Sequence, residues 1–256
     1  MPSLEEALGS RVRAGGRAFV PYVTGGAPGF DAGLLRALEA AGADAVEVGI
    51  PFSDPVMDGG VIQEASRLAL EAGATPGSVL TTIGQAALRI PVAVMTYANP
   101  VWRLGHEAFL ARCVDAGVSG AIVPDLPVDE AGPWMAACAA IGVAPVFLAA
   151  PGTSDERLRE VAAASRGFVY CVATYGVTGE RESLSGTAQE LVSRLRPLTG
   201  RPLLVGVGIG APEQAALACA FADGVVVGSA LVRPLLVGDR TGALELAERF
   251  RAAIAA

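Results

Sequence analysis

Short apolar runs rich in Val, Ile and Ala recur along the chain. AFVPYVT (18–24), AVEVGI (45–50), PVAVMTY (91–97), GAIVPD (120–125), APVFLAA (144–150), FVYCVA (168–173), PLLVGVG (202–208) and DGVVVG (223–228) each have the length and composition of a buried strand. Between them lie segments with the helical period, such as 31–41, 61–72, 106–116, 131–140, 154–164, 187–196 and 212–221. Asp31, the Ser154-Asp155-Glu156 run and Pro212-Glu213 are helix-start signals, and Gly42, Gly73, Gly117 and Gly142 are helix-end signals. Strands alternating with helices specify a parallel sheet with crossover helices, and eight strands suffice to close it. The pattern predicts an α/β fold, a single (β/α)8 TIM barrel spanning residues 1–256 as one domain. The amphipathic stretch before the first strand adds an N-terminal helix. An open doubly wound sheet is the alternative, but no GxGxxG follows the first strand.

Composition narrows the chemistry. All 19 basic residues are Arg, and there is no Lys. That excludes Schiff-base aldolases, lysine-anchored pyridoxal phosphate and the Walker A loop. The one His, His106, cannot build a His-rich metal centre. It starts a helix and is expected on the solvated surface. A net charge of −7 argues against nucleic acid. Cys113, Cys138, Cys171 and Cys219 form no CxxC and lie in apolar stretches, as buried reduced thiols of a cytoplasmic protein do. No signal-peptide pattern opens the chain, and no apolar run reaches membrane-spanning length.

Catalysis is therefore left to carboxylates, hydroxyls, Cys and backbone groups. In a barrel these act from the C-terminal strand ends. Period two in 45–50 puts Val46, Val48 and Ile50 under the helices and Ala45, Glu47 and Gly49 inside. A carboxylate buried there is suited to general acid–base work, because desolvation raises its pKa. The next loop, PFSDPVMDGG (51–60), carries Asp54, which suits a turn, and Asp58 at the barrel mouth. Gly206-Val207-Gly208-Ile209-Gly210 and Gly228-Ser229-Ala230 end the last two strands, where barrels commonly bind phosphate on backbone amides. Tyr175-Gly176-Val177-Thr178-Gly179 could add donors. Trp102 and Trp134 read as packing or interface residues. Asp125 reads as a turn or partner contact, and Tyr170 as either a pocket or a wall residue.

GADAVEVGIPFSDPVMDGGVIQ, MTYANPV, IVPDLPVDE, YGVTG and VGSALV, in this order across essentially the whole chain, resemble the tryptophan synthase α subunit family. The resemblance implies a lyase that cleaves indole-3-glycerol phosphate to indole and glyceraldehyde 3-phosphate in tryptophan biosynthesis. It implies Glu47 as acid–base and Asp58 as second catalytic carboxylate. Gly179, Gly208, Gly228 and Ser229 would cradle the phosphate, and Tyr22, Met95, Tyr170 and Thr178 would line the pocket. It further implies a pyridoxal-phosphate β subunit as partner in an α2β2 heterotetramer, with no cofactor or metal in this chain. The partner contact would lie on 51–60 and 99–105, at Pro51, Asp54 and Asn99. Met57 and Gly60 depart from the family's usual small residue and Pro, and Ala173 and Tyr175 alter the run before GVTG. A stand-alone lyase releasing free indole and a silent α-like activating subunit remain as alternatives. Other phosphate-binding barrels that depend on a catalytic lysine do not fit.

Overall fold

Apolar runs become strands, and polar-capped periodic segments become helices, in a computed structural model that describes residues 3–172, 183–206 and 208–255. In chain order the elements are α1 (Leu4–Arg13), β1 (Ala18–Thr24), α2 (Ala32–Ala40), β2 (Val46–Gly49), α3 (Gly60–Glu71) and α4 (Pro76–Ala86). There follow β3 (Val92–Met95), α5 (Ala98–Leu104), α6 (His106–Asp115), β4 (Val118–Ile122), α7 (Gly132–Ile141), β5 (Ala144–Val146) and β6 (Leu148–Ala149). The last are α8 (Asp155–Ala164), β7 (Val169–Val172), α9 (Ser183–Leu195), β8 (Leu203–Gly206), α10 (Pro212–Cys219), β9 (Gly224–Val227), α11 (Ser229–Leu236) and α12 (Arg240–Ala253).

The sheet order is β5-β4-β3-β2-β1-β9-β8-β7-β6, with every pair parallel. Its two ends, β5 and β6, are separated in sequence only by Phe147, so the sheet closes on itself as the predicted barrel. The strand expected over 144–150 is broken at that residue. Phe147 N–H donates to the Ser165 hydroxyl (3.4 Å), while its carbonyl still accepts from Tyr170 N–H (3.1 Å).

Two apolar layers result. Val46, Val48, Val94, Val169, Val205 and Val225 pack outward under the helices. Val20, Tyr22, Ala93, Ile122, Phe168, Tyr170, Leu204 and Val226 fill the barrel interior. The predicted N-terminal helix stoppers the barrel: Leu4 and Leu8 of α1 are buried in that interior layer, where each contributes roughly 1.5–3 kcal/mol. Leu4 reaches in where Gly120 and Gly167 carry no side chain.

Asp31 and Ser154 cap α2 and α8, accepting from Leu34 N–H and Arg157 N–H, and the four predicted helix-end glycines all take positive φ. The sequence reading names no helix between 73 and 90, yet α4 forms there. Thr75 and Ser78 cap its first turn reciprocally and Pro76 occupies its first position. His106 also differs from expectation. It is half-buried and edge-on to Trp134 (centroids 5.7 Å), with Nε2 enclosed. All four cysteines are buried and free, and burial pushes Cys113, Cys138 and Cys171 up to about 12. No helix of the described residues is long and apolar enough to cross a membrane.

Candidate active site

Glu47 lies on β2 level with Tyr22 of β1 and Ala93 of β3. Both neighbours belong to the interior layer, so the alternation read from 45–50 holds. The residue is 0% exposed, and neither carboxyl oxygen has a hydrogen-bond partner among the described residues. An unpaired buried carboxyl is costly, and the protein meets the cost by keeping it neutral. Burial first, then the charge of Asp58, pushes Glu47 up to about 8.

Asp58 stands in the loop between β2 and α3, half-buried. Burial raises it to about 6, against the pull of a hydrogen bond from Tyr97. The hydroxyls of Tyr22 and Tyr170 face the same pair. Burial first, then the charges of Asp58 and Glu47, raise both phenols well above their ordinary value. At neutral pH the pocket therefore presents one protonated carboxyl, one carboxylate and two neutral phenols.

Two glycines make room for those phenols. Tyr22 is level with Glu47, and Gly49 is the next inward position on that strand. Tyr170 is level with Leu204, and Gly206 is the next inward position on β8. Each tyrosine leans along its strand toward the mouth, and a Cβ at Gly49 or Gly206 would collide with the Tyr22 or Tyr170 ring. Neither Gly49 nor Tyr97 stands out in the sequence as a site residue, and Gly206 reads there only as part of a phosphate loop.

The other side of the mouth carries amide donors. α11 begins at Ser229, next to Gly228; Leu231 and Val232 N–H already donate to the Gly228 carbonyl (2.9 and 3.1 Å), which leaves the Ser229 and Ala230 amides at the positive end of the helix for an anion. Gly228 lies against the Tyr22 ring (3.5 Å to a built Cβ). Gly208 takes φ +86°, a conformation glycine adopts without strain. The amides of Gly210 and Ala211 are already committed to Gln214 Oε1 (2.7 and 3.0 Å), so these two are taken from the donors of the loop after β8. Met95 ends β3, half-buried and level with Gly49. Thr178 and Gly179 lie outside the described residues. A groove of about 900 Å³ between α7 and α8, lined by Met135, Cys138 and Pro145, holds none of these residues.

A profile of the family described as tryptophan synthase alpha chain matches residues 10–251. The chain belongs to that family.

Curated tryptophan synthase alpha chains include one from Streptomyces avermitilis, 44% identical over 94% of this chain and 89% of its own length. Another, from Acidothermus cellulolyticus, is 46% identical over 91% and 88%. Among solved structures, tryptophan synthase subunit alpha from Legionella pneumophila superposes with TM-score 0.90 at 30% identity, covering 99% of this chain and 98% of that one. Ligand-free tryptophan synthase from M. tuberculosis gives TM-score 0.89 at 36% identity, with both chains fully covered. The chain is thus an alpha-type carbon–carbon lyase of tryptophan biosynthesis with the family's barrel.

The segments assigned to partner contact divide. Asp54 and Asn99 are exposed, whereas Pro51 is buried and presents no surface. Val56 (78% exposed), Met57 (42%) and Trp102 (58%) add apolar area to the same two segments. Trp134, the other tryptophan, is 2% exposed and packs in the core.

Proposed function

We propose that Glu47 and Asp58 together cleave the carbon–carbon bond of indole-3-glycerol phosphate within this single-domain barrel. The observation that carries the reading is the enclosed Glu47 carboxyl, without a hydrogen-bond partner among the described residues, beside Asp58; burial favours the neutral form of Glu47 more strongly than that of Asp58. Neutral Glu47 delivers its proton to the ring carbon bearing the glycerol chain. Positive charge then develops on the ring nitrogen, where Asp58 accepts the N–H and balances it. Glu47, now a carboxylate, takes the proton of the adjacent side-chain hydroxyl. The bond between ring and chain breaks, its electron pair returns to the ring, and indole and glyceraldehyde 3-phosphate leave with Glu47 protonated again.

Gly208, Gly228 and Ser229 would hold the phosphate, joined by Thr178 and Gly179. Tyr22, Met95 and Tyr170 would enclose the indole end. The chemistry calls for no cofactor in this chain.

The test is indole release from indole-3-glycerol phosphate as a function of pH. Glu47 must hold its proton and Asp58 must have lost its own. The kcat/KM profile is therefore expected to be a bell with limbs near 6 and 8, the values burial gives the two groups. A profile flat from pH 5 to 9 would remove both assignments.

The partner is proposed to be a tryptophan synthase β subunit, which would carry the pyridoxal phosphate, in an α2β2 assembly. Indole is small and apolar, so direct transfer between subunits prevents its loss. Exposed Asp54, Val56, Asn99 and Trp102 support a contact face beside the loop that carries Asp58. Adding the cognate β subunit is expected to raise indole-forming turnover at least about tenfold, by ordering that loop. Asp54→Ala or Asn99→Ala should remove most of the gain without changing turnover of the isolated chain. Full activation in both variants would place the contact elsewhere.

A further inference from the structure

We propose that Tyr97 is a positioning residue for Asp58, itself held by Asp125, so that the foot of α5 sets where the second carboxylate sits. The proposal rests on the role of Asp58 argued above. Tyr97 immediately precedes α5 and is 3% exposed. Its hydroxyl accepts from Met57 N–H (3.0 Å) and donates to Asp58 Oδ2 (3.1 Å). With its oxygen engaged by a backbone donor, the hydroxyl directs its single proton at the carboxylate, which favours the ionised form. The Tyr97 ring stacks on Phe52 at 5.3 Å, so one side chain grips the loop near both ends. Gln63 Nε2 pins the Asp58 carbonyl from α3 (2.9 Å) and leaves the carboxylate's direction to Tyr97.

Tyr97 is fixed from both sides. Thr96 N–H pairs with the Ile122 carbonyl (3.1 Å) and its hydroxyl reaches the Ile50 carbonyl (3.4 Å). Ala98 N–H donates to Asp125 Oδ1 (2.8 Å), which ties the start of α5 to the loop after β4. Among the described residues, the titratable groups facing this pair are Glu47 from β2, Tyr22 from β1, Tyr170 from β7 and Asp125 behind Tyr97, with no cation among them. Among the described residues, the Tyr97 hydroxyl is thus the side-chain donor that favours ionised Asp58 against its burial. Exposed Asn99 and Trp102 ride on the same short helix, so a body seated on α5 would act on Asp58 through this hydroxyl.

The experiment is indole release by the full chain from pH 5 to 9, for the unsubstituted protein, Tyr97→Phe, Asp125→Ala and Asp125→Asn. Tyr97→Phe is expected to move the acid limb up by roughly one pH unit and leave the alkaline limb near 8, with kcat/KM at pH 6 falling about fivefold. Asp125→Ala should shift the same limb by less. Asp125→Asn, whose amide oxygen still accepts from Ala98 N–H, should match the unsubstituted chain. An unmoved acid limb, or a loss uniform in pH, overturns the proposal and leaves the role of Asp58 standing. No indole release from the unsubstituted chain overturns both. If Tyr97→Phe does not fold, the two Asp125 variants decide the question with the ring intact.

Discussion

Glu47→Gln is expected to lose indole-forming turnover by at least about 10²-fold and, at neutral pH, to melt at a higher temperature than the unsubstituted chain. The first effect follows because an amide can neither give nor take the proton, and a positioned acid–base group contributes typically 10²–10⁴-fold. The second follows from burial. The folded chain holds Glu47 near 8, against an ordinary value of 4.5. At a pH below both values the group is protonated in either state and has no effect on folding. As pH rises from 4.5 toward 8, the unfolded chain ionises Glu47 and the folded chain does not, so stability falls; above 8 the loss is complete. At pH 7 the penalty is about 3 kcal/mol, and an isosteric group that never ionises escapes it. For a domain of this size that is about 5–10 °C. The melting temperatures of variant and parent should thus converge near pH 4.5 and diverge by pH 8.5. A difference that ignores pH would mean that Glu47 is not held neutral, and near-normal turnover would end its role as acid–base.

The inward face of Glu47 was legible in the sequence because its signal is local. Two flanking valines and period two fix its face, and the barrel fixes what that face sees. Helix ends were legible for the same reason: a cap or a glycine acts within one turn. What escaped depends on contacts between distant segments. Tyr97 meets Asp58 only because two barrel loops dock side by side, 39 residues apart in the chain, and in MTYANPV it reads as an ordinary strand aromatic. Pro51 belongs to a loop with many exposed residues, but it directly follows Ile50, whose N–H still pairs with the Met95 carbonyl (2.8 Å), and it is buried at that end. Gly210 has the composition of an anion loop, yet Gln214, one helical turn on, occupies its amide. His106 is polar at a helix start, and only the packing of α6 against α7 brings Trp134 over it. A legible signal did exist for Gly49. Aligned by register, Tyr22-Val23-Thr24 faces Glu47-Val48-Gly49, and a large inward residue beside a strand whose next inward position is glycine implies a ring leaning across.

That arrangement makes Gly49→Ala the smallest substitution with a large expected effect. The methyl group would lie within contact distance of the Tyr22 hydroxyl and ring, and also narrow the space just above Glu47. Tyr22 is 4% exposed, and its hydroxyl receives a hydrogen bond from Thr24 (3.3 Å), so the ring cannot swing aside freely. Overpacking of this kind costs about 1–3 kcal/mol of stability. The larger consequence is for turnover. A ring displaced by about 1 Å between the two carboxylates and Gly228 misplaces both ends of the substrate, and kcat/KM should fall roughly 100-fold. Tyr22→Phe removes the atom nearest the new methyl group. Alone it should change kcat/KM by less than about threefold, and in the Gly49→Ala background it should restore a good part of the loss, with a coupling of about 1 kcal/mol or more. Strictly additive effects in this double-mutant cycle would show that Gly49 serves the backbone of β2 and not the pose of Tyr22.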